Sequence, residues 1–155
     1  GNTFIAISHD TERYFRKTAR KYDVQLLPNA IDYEKFHCDN SRQPSTKLRL
    51  VNVGSLNANK NQIFLIDVAK ILVDKGFDFG LKLVGGGQDY NMLKQRIETL
   101  GLQKNVSLCG NVDNVEDYLH ESDIYVHSSL SEASSFSLVQ RYGSQSRYSA
   151  LFNIV

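Results

Sequence analysis

Lys60 closes a run of small and polar residues, Gly54-Ser55-Leu56-Asn57-Ala58-Asn59, and stands directly ahead of a segment of helical period. An ammonium group beside the open N–H groups of a helix's first turn makes a site for phosphate oxygens. The alternative is an ordinary solvated loop lysine. Gly85-Gly86-Gly87 follows a second apolar run. It resembles a phosphate loop, but the G-x-G-x-x-G dinucleotide pattern would need a further glycine where Tyr90 stands. A tight strand-to-helix turn is the better reading, which ranks a nicotinamide-dependent oxidoreductase last. Glu132 precedes Ala133-Ser134-Ser135-Phe136-Ser137-Leu138, small and polar residues that open an amphipathic stretch. Backbone amides there could hold an anion while the carboxylate accepts hydrogen bonds from sugar hydroxyls. A carboxylate at that place also serves as a plain partner for the helix dipole.

Other chemistry is poorly provided for. Cys38 and Cys109 lie far apart, and with His9, His37, His120 and His127 they show no zinc-ligand spacing, so no metal site is expected and the thiols read as reduced. None of the histidines has an evident acid or serine partner. Arg13, Arg16, Lys17, Arg20 and Lys21 make the first helical segment basic. Such a face can meet a membrane surface or nucleic acid, but it is more often simply solvated. Over the whole chain of 155 residues, 18 Lys plus Arg offset 17 Asp plus Glu, for a net charge of +1. That balance gives no general electrostatic reason to expect nucleic acid as a partner. No apolar run approaches the ~20 residues of a membrane span, and no apolar leader stretch opens the chain, so a cytoplasmic location is expected.

These candidates need a scaffold, and the apolar pattern supplies one. Strand-length runs at Phe4–Ser8, Val24–Leu27, Leu48–Val53, Phe79–Val84, Val106–Cys109 and Ile124–His127 alternate with helical segments. The helices run from an N-cap at Asp10 to about Tyr22, over Asn61 to Lys75 with Leu65, Val68, Ala69 and Leu72 as one stripe, and from about Asp89 to Leu100. A short helix spans Val115 to His120, and a last one starts near Ser135. Gly76 fits the position just past a helix end. Alternating strands and helices imply βαβ units, hence an α/β fold with a doubly wound, Rossmann-like parallel sheet and helices on both faces. The polar stretch 39–46 reads as a linker, with a crossover strand and helix in 1–46 and the main domain in 47–155. Ligands of such sheets sit outside the carboxyl ends of the strands. Gly54–Lys60, Gly85–Gly87, Gly110–Val112 and Ser128–Glu132 all fall there.

From Ile5 to about Val139 the chain resembles a known family, the donor-binding half of the retaining GT-B glycosyltransferases of the large family-four group (glycosyl transferases group 1). Leu27-Pro28-Asn29-Ala30-Ile31-Asp32 with Phe36 is similar to "PNGID…F", and Val53-Gly54-Ser55-Leu56 with Lys60-Asn61-Gln62 to "VGRL…KN". Leu83 to Gly87 resembles "iiGdG", and Leu102 to Val106 with Leu108-Cys109-Gly110 resembles "L…nV.f.G". Ser122 to Val126 with Ser128 to Glu132 resembles "asDvfvlpS…E". The stretches fall in the family's order.

The resemblance implies one half of a GT-B architecture that transfers a hexose-type sugar, with retention, from a nucleoside-diphosphate sugar to a glycan or lipid-linked acceptor. Lys60 would bind the donor pyrophosphate and Glu132, first of the family's Glu-x7-Glu pair, the sugar hydroxyls. Amides at Ser135, Phe136, Ser137 and Leu138 would meet the phosphates, Gly54 and Ser55 would flank them, and Asn111 and Val112 would line the base pocket. No metal or other cofactor is implied, since lysine and helix dipole offset the diphosphate. An acceptor domain ahead of Gly1 would carry acceptor contacts and any peripheral membrane association, at the inner face of the membrane. Without it the 155 residues are expected not to turn over. Two departures stand out: the family's usual arginine falls at Ser55, and its second glutamate falls at Gln140, which can hydrogen-bond ribose hydroxyls without charge. Beyond Gln140 the resemblance stops, which suggests an incomplete or altered C-terminus, although Ala150 to Val155 could add an edge strand. The competing reading is a non-catalytic or degenerate nucleotide-binding module.

Overall fold

The computed structural model describes residues 2–28 and 46–130, together with the backbone of 148–151. The first unit is a small βαβ motif of β1 (Thr3–Ala6), α1 (His9–Thr18) and β2 (Asp23–Leu26), its strands parallel. The Phe4 ring lies 5.1 Å from both Phe15 and Tyr22, an aromatic cluster that seats the helix on the sheet. The N-cap is Ser8, whose hydroxyl accepts from the Thr11 amide at 3.2 Å, and not the expected Asp10, which takes the Arg13 guanidinium at 2.6 Å. The helix also ends at Thr18, short of the expected Tyr22. Tyr22 must leave the helix to reach Phe4, and a turn with the Tyr22 amide on the Ala19 carbonyl at 3.0 Å brings it there.

The main unit runs β3 (Leu48–Val53), α2 (Gln62–Asp74), β4 (Phe79–Val84), α3 (Tyr90–Thr99), β5 (Val106–Gly110), α4 (Val115–His120), β6 (Ile124–His127) and β7 (Tyr148–Leu151). The sheet order is β5-β4-β3-β6-β7 and every pairing is parallel, so all strand carboxyl ends share one rim. The chain moves outward from β3 to β5, then returns to the far side of β3 with β6. That reversal makes the β3–β6 seam the topological switch point of a doubly wound sheet.

Apolar alternation along the strands feeds two cores. Leu50, Phe79, Leu81, Leu83 and Val126 pack on one face under Leu65, Ile66 and Ala69 of α2 and Leu93 and Ile97 of α3. Val51, Val84 and Tyr125 pack on the other face with Leu119 of α4. The stripe of α2 is turned slightly from the expected one: Ile66 is fully buried, while Leu72 packs at the edge of the core. Both helices on the first face end in the same way. The amides of Gly76 and Phe77 bond the carbonyls of Val73 and Leu72 at 2.9 and 3.1 Å, and those of Gly101 and Leu102 bond Glu98 and Ile97 at 3.1 and 2.9 Å. Tyr148 and Ser149, for which the sequence showed no counterpart in the family, form the start of β7, so the edge strand begins two residues earlier than expected.

At the amino ends of the strands, ion pairs tie neighbours together. Arg49 of β3 meets Asp123 through its guanidinium at 2.8 and 3.0 Å and through its amide at 2.9 Å, while the Asp123 amide returns to the Arg49 carbonyl at 2.8 Å. The hydrogen bonds that Arg49 donates to Asp123, together with the charge of that carboxylate, hold Arg49 above the ordinary arginine range. Lys82 reaches Glu121 at 2.8 Å on the same rim.

Gly85 separates two kinds of glycine effect. It sits at φ +134°, and a Cβ there would lie 2.1 Å from the Gly54 carbonyl oxygen. Gly76 sits at φ +76° with nothing within 4 Å. Urea unfolding should therefore show Gly76→Ala losing about 1–2 kcal/mol, the cost of a left-handed Cβ. Gly85→Ala, which adds a backbone clash, should lose at least about 3 kcal/mol.

Candidate functional site at the carboxyl rim

The rim opens where β3 and β6 part. Their ladder holds only Leu50 with Ile124 and Val51 with Tyr125. Beyond it the buried Asn52 side chain takes over and donates its amide to the Val126 carbonyl at 2.8 Å. Gln62, the first residue of α2, is also buried, and its amide donates to the Ser55 carbonyl at 3.1 Å and lies 3.4 Å from the Asn52 side-chain oxygen. These two amides fill the wedge between the diverging strands and fix the start of α2. Polar groups buried there must be paired to be tolerated, and most of these are.

The loop leaving β3 then runs beside the loop leaving β4. The Gly54 amide bonds the Val84 carbonyl at 2.9 Å, the Leu56 amide the Gly86 carbonyl at 2.9 Å, and the Asp89 amide the Leu56 carbonyl at 3.2 Å. Gly85–Gly87 is thus a turn stitched to its neighbour, as its sequence suggested. Asn57 caps the next turn, its side-chain oxygen accepting the Lys60 amide at 3.1 Å. Asn61 follows in a left-handed conformation at φ +52° and ends the loop as the N-cap of α2. The Lys60 stem lies back along Gly54, its Cε 3.7 Å from where a Cβ on that glycine would stand.

Between the exits of β3, β4 and β5 lies a cleft of about 250 Å³ lined by Gly54, Ser55, Gly85, Gly86, Asn111 and Val112 among others. The Asn111 amide lies against Gly86, within 3 Å of where a Cβ would stand. Ser55 also borders a more open depression of about 510 Å³ lined by Asn57, Ala58, Asn59, Gly87 and Gln88. Gly54, Ser55, Asn111 and Val112 therefore meet on one cleft, with the stem of Lys60 on its Gly54 edge. Glu132, Ser135, Phe136, Ser137, Leu138 and Gln140 lie outside the described residues, as do Asn29 to Asp32 and Phe36. Burial pushes the Cys109 thiol, near the end of β5, up from its ordinary range, and Lys82 offsets this only in part. Among the described residues no group of His, Cys, Asp and Glu is placed to hold a metal ion, and no helix is long and apolar enough to cross a membrane.

The profile of the family described as Glycosyl transferases group 1 matches residues 34–140. The GPI3 subunit of phosphatidylinositol N-acetylglucosaminyltransferase from Saccharomyces cerevisiae (strain YJM789) is 31% identical over 125 residues, covering 76% of this chain and 28% of that protein. Among solved structures, the pneumococcal O-GlcNAc transferase GtfA in complex with UDP and GlcNAc superposes with a TM-score of 0.79 at 18% identity, over 99% of this chain and 30% of that one. Anabaena Alr3699/HepE in complex with UDP gives 0.77 at 18% identity, over 96% and 49% of the two chains. At such identities the solved structures share the fold. The chain spans about three tenths of the length of the curated relatives it matches.

Sequence reasoning placed the loops but missed the polar wedge. Its one available signal is Asn52, an amide inside the otherwise apolar core of β3. Asn52→Ala should lower stability by about 1–3 kcal/mol in chemical denaturation, because the Val126 carbonyl loses its partner in a buried place. In a Cys38→Ser background, alkylation of Cys109 by iodoacetamide should be slower at pH 7.5 than that of a free thiol, and its rate should go on rising with pH past the point where a free thiol levels off.

Proposed function

Since the chain belongs to the glycosyl transferases group 1 family, we propose that residues 47–155 form the donor-binding part of an enzyme that transfers a hexose-type sugar with retention of configuration. The donor is a nucleoside-diphosphate sugar and the acceptor a glycan or a lipid-linked group. The observation that carries this reading is the meeting of Gly54, Ser55, Asn111 and Val112 on one cleft, with Lys60 folded along its edge at the switch point.

In this reading the Lys60 ammonium binds the pyrophosphate and stabilises the charge that develops on the departing nucleoside diphosphate. Asn111 and Val112 line the base pocket, at the end of the cleft away from α2. Glu132 holds hydroxyls of the donor sugar, the amides of Ser135 to Leu138 face the phosphates, and Gln140 serves the ribose. Lys60 and the amino terminus of a helix supply the positive charge, so no metal is called for. Ser55 leaves the diphosphate with one side-chain cation where the family resemblance implies two. Residues 1–46 act as the crossover from an acceptor-binding domain, which carries peripheral contact with the inner face of the membrane in a cytoplasmic enzyme.

Supporting this reading, two of the solved structures with this fold hold UDP, and the yeast relative is named for transfer of N-acetylglucosamine to phosphatidylinositol. Calorimetric titration with UDP, GDP and ADP tests the reading. One nucleotide should bind, and Lys60→Ala should weaken it at least tenfold, about 1.4 kcal/mol. Ser55→Arg should strengthen it several-fold, because an exposed arginine there reaches the same diphosphate. Binding that ignores both substitutions would move the donor site elsewhere. No binding of any of the three would favour a degenerate module.

A further inference from the structure

The loops on the two sides of the switch point are joined by bonds that the donor reading does not use. Ser128, the residue after β6, is fully buried. Its hydroxyl lies 2.8 Å from the Lys60 carbonyl and 3.1 Å from the Asn61 carbonyl. Two residues on, the Leu130 amide donates to the Asn59 carbonyl at 2.8 Å. The segment 59–61 is thereby fastened to the segment 128–130 at successive points, across nearly seventy positions of sequence.

What is fastened matters. Asn61 is the one described non-glycine residue with positive φ. An L-residue in this conformation costs about 1–2 kcal/mol, less for asparagine than for most. The surroundings must hold it there, and a hydroxyl proton shared between the carbonyls on either side of the Asn61 Cα does so. The left-handed turn in turn sets the direction in which the Lys60 stem leaves the loop. Resting on the donor-site reading above, we infer that Ser128 is a positioning residue. It holds the Lys60–Asn61 turn in its strained form and so links the ammonium that meets the diphosphate to the β6 exit, four residues before Glu132.

Ser128 touches no reacting atom in this scheme, and the carbonyls that it binds are main-chain groups. Its effect must therefore pass through the turn, which gives the test its form. Amide hydrogen exchange would be measured on the 155-residue chain as wild type, Ser128→Ala, Asn61→Gly and the double variant, with UDP, GDP and ADP titrated into each and into Lys60→Ala. In Ser128→Ala the amides of Lys60, Asn61 and Leu130 should exchange at least tenfold faster, while those of Leu81 and Leu93 on the other side of the core stay unchanged. Affinity for the nucleotide that wild type binds should fall three- to tenfold. Asn61→Gly, which adopts the turn without strain, should recover most of that loss in the double variant. In a Lys60→Ala background Ser128→Ala should cost nothing further.

Unchanged exchange at Lys60 and Asn61, or an equal loss of affinity with and without the Lys60 ammonium, would overturn the inference. Faster exchange throughout the chain would also overturn it, since Ser128 would then support the fold at large. If wild type binds no nucleoside diphosphate, the donor reading fails by itself. The exchange comparison between wild type and Ser128→Ala still decides whether Ser128 governs the turn.

Discussion

Strands β3 and β6 must lie side by side at one end and come apart at the other, and the rest of the molecule is arranged around that requirement. At the amino end Arg49 and Asp123 bind each other through side chains and main chain. Two ladder pairs follow, and then the strands separate. Separation of parallel strands exposes main-chain groups that would be costly to leave unpaired inside a protein. Asn52 and Gln62 answer that cost with side-chain amides. The wedge they form fixes the start of α2 and, through the Ser55 carbonyl, the loop that leaves β3 for the crevice.

Glycines do a second job at this rim. The loops after β3 and β4 approach so closely that Cβ atoms at Gly85 and Gly87 would enter the carbonyl oxygens of Gly54 and Leu56. Close approach of two backbones lets a cleft form between main-chain walls, with few side chains projecting into it. Such a wall suits a ligand that is recognised by shape and by main-chain polar groups, and it leaves side-chain chemistry to a few positions. Lys60 and Ser55 are the described positions that carry it next to the phosphates in the donor reading.

Much of this fold was legible in the sequence, for a physical reason. Strands buried on both faces read as continuous apolar runs, and β3, β4 and β6 fall at the residues that their runs mark. Helix ends were plain where a glycine closes them, as after α2 and α3. They were obscure at α1, where the basic pattern continues through Arg20 and Lys21 and only the packing of Tyr22 on Phe4 ends the helix. The positions of Gly54, Ser55, Asn111 and Val112 on one cleft followed from their places after strands. The bonds of Ser128 to the Lys60 turn did not, because a side-chain contact with the main chain of a distant loop leaves no period and no motif. The left-handed state of Asn61 was equally silent, since asparagine is at home in many other conformations.

The ion-paired rim at the amino ends lies on the opposite edge of the sheet from the crevice. Arg49 with Asp123 and Lys82 with Glu121 fasten the sheet where no ligand is read to bind. A sheet secured at its base keeps its strands paired when a side chain facing the crevice at the other edge is changed. In the donor reading, the charge that meets the diphosphate can then be altered at position 55 without reopening the question of whether the domain folds.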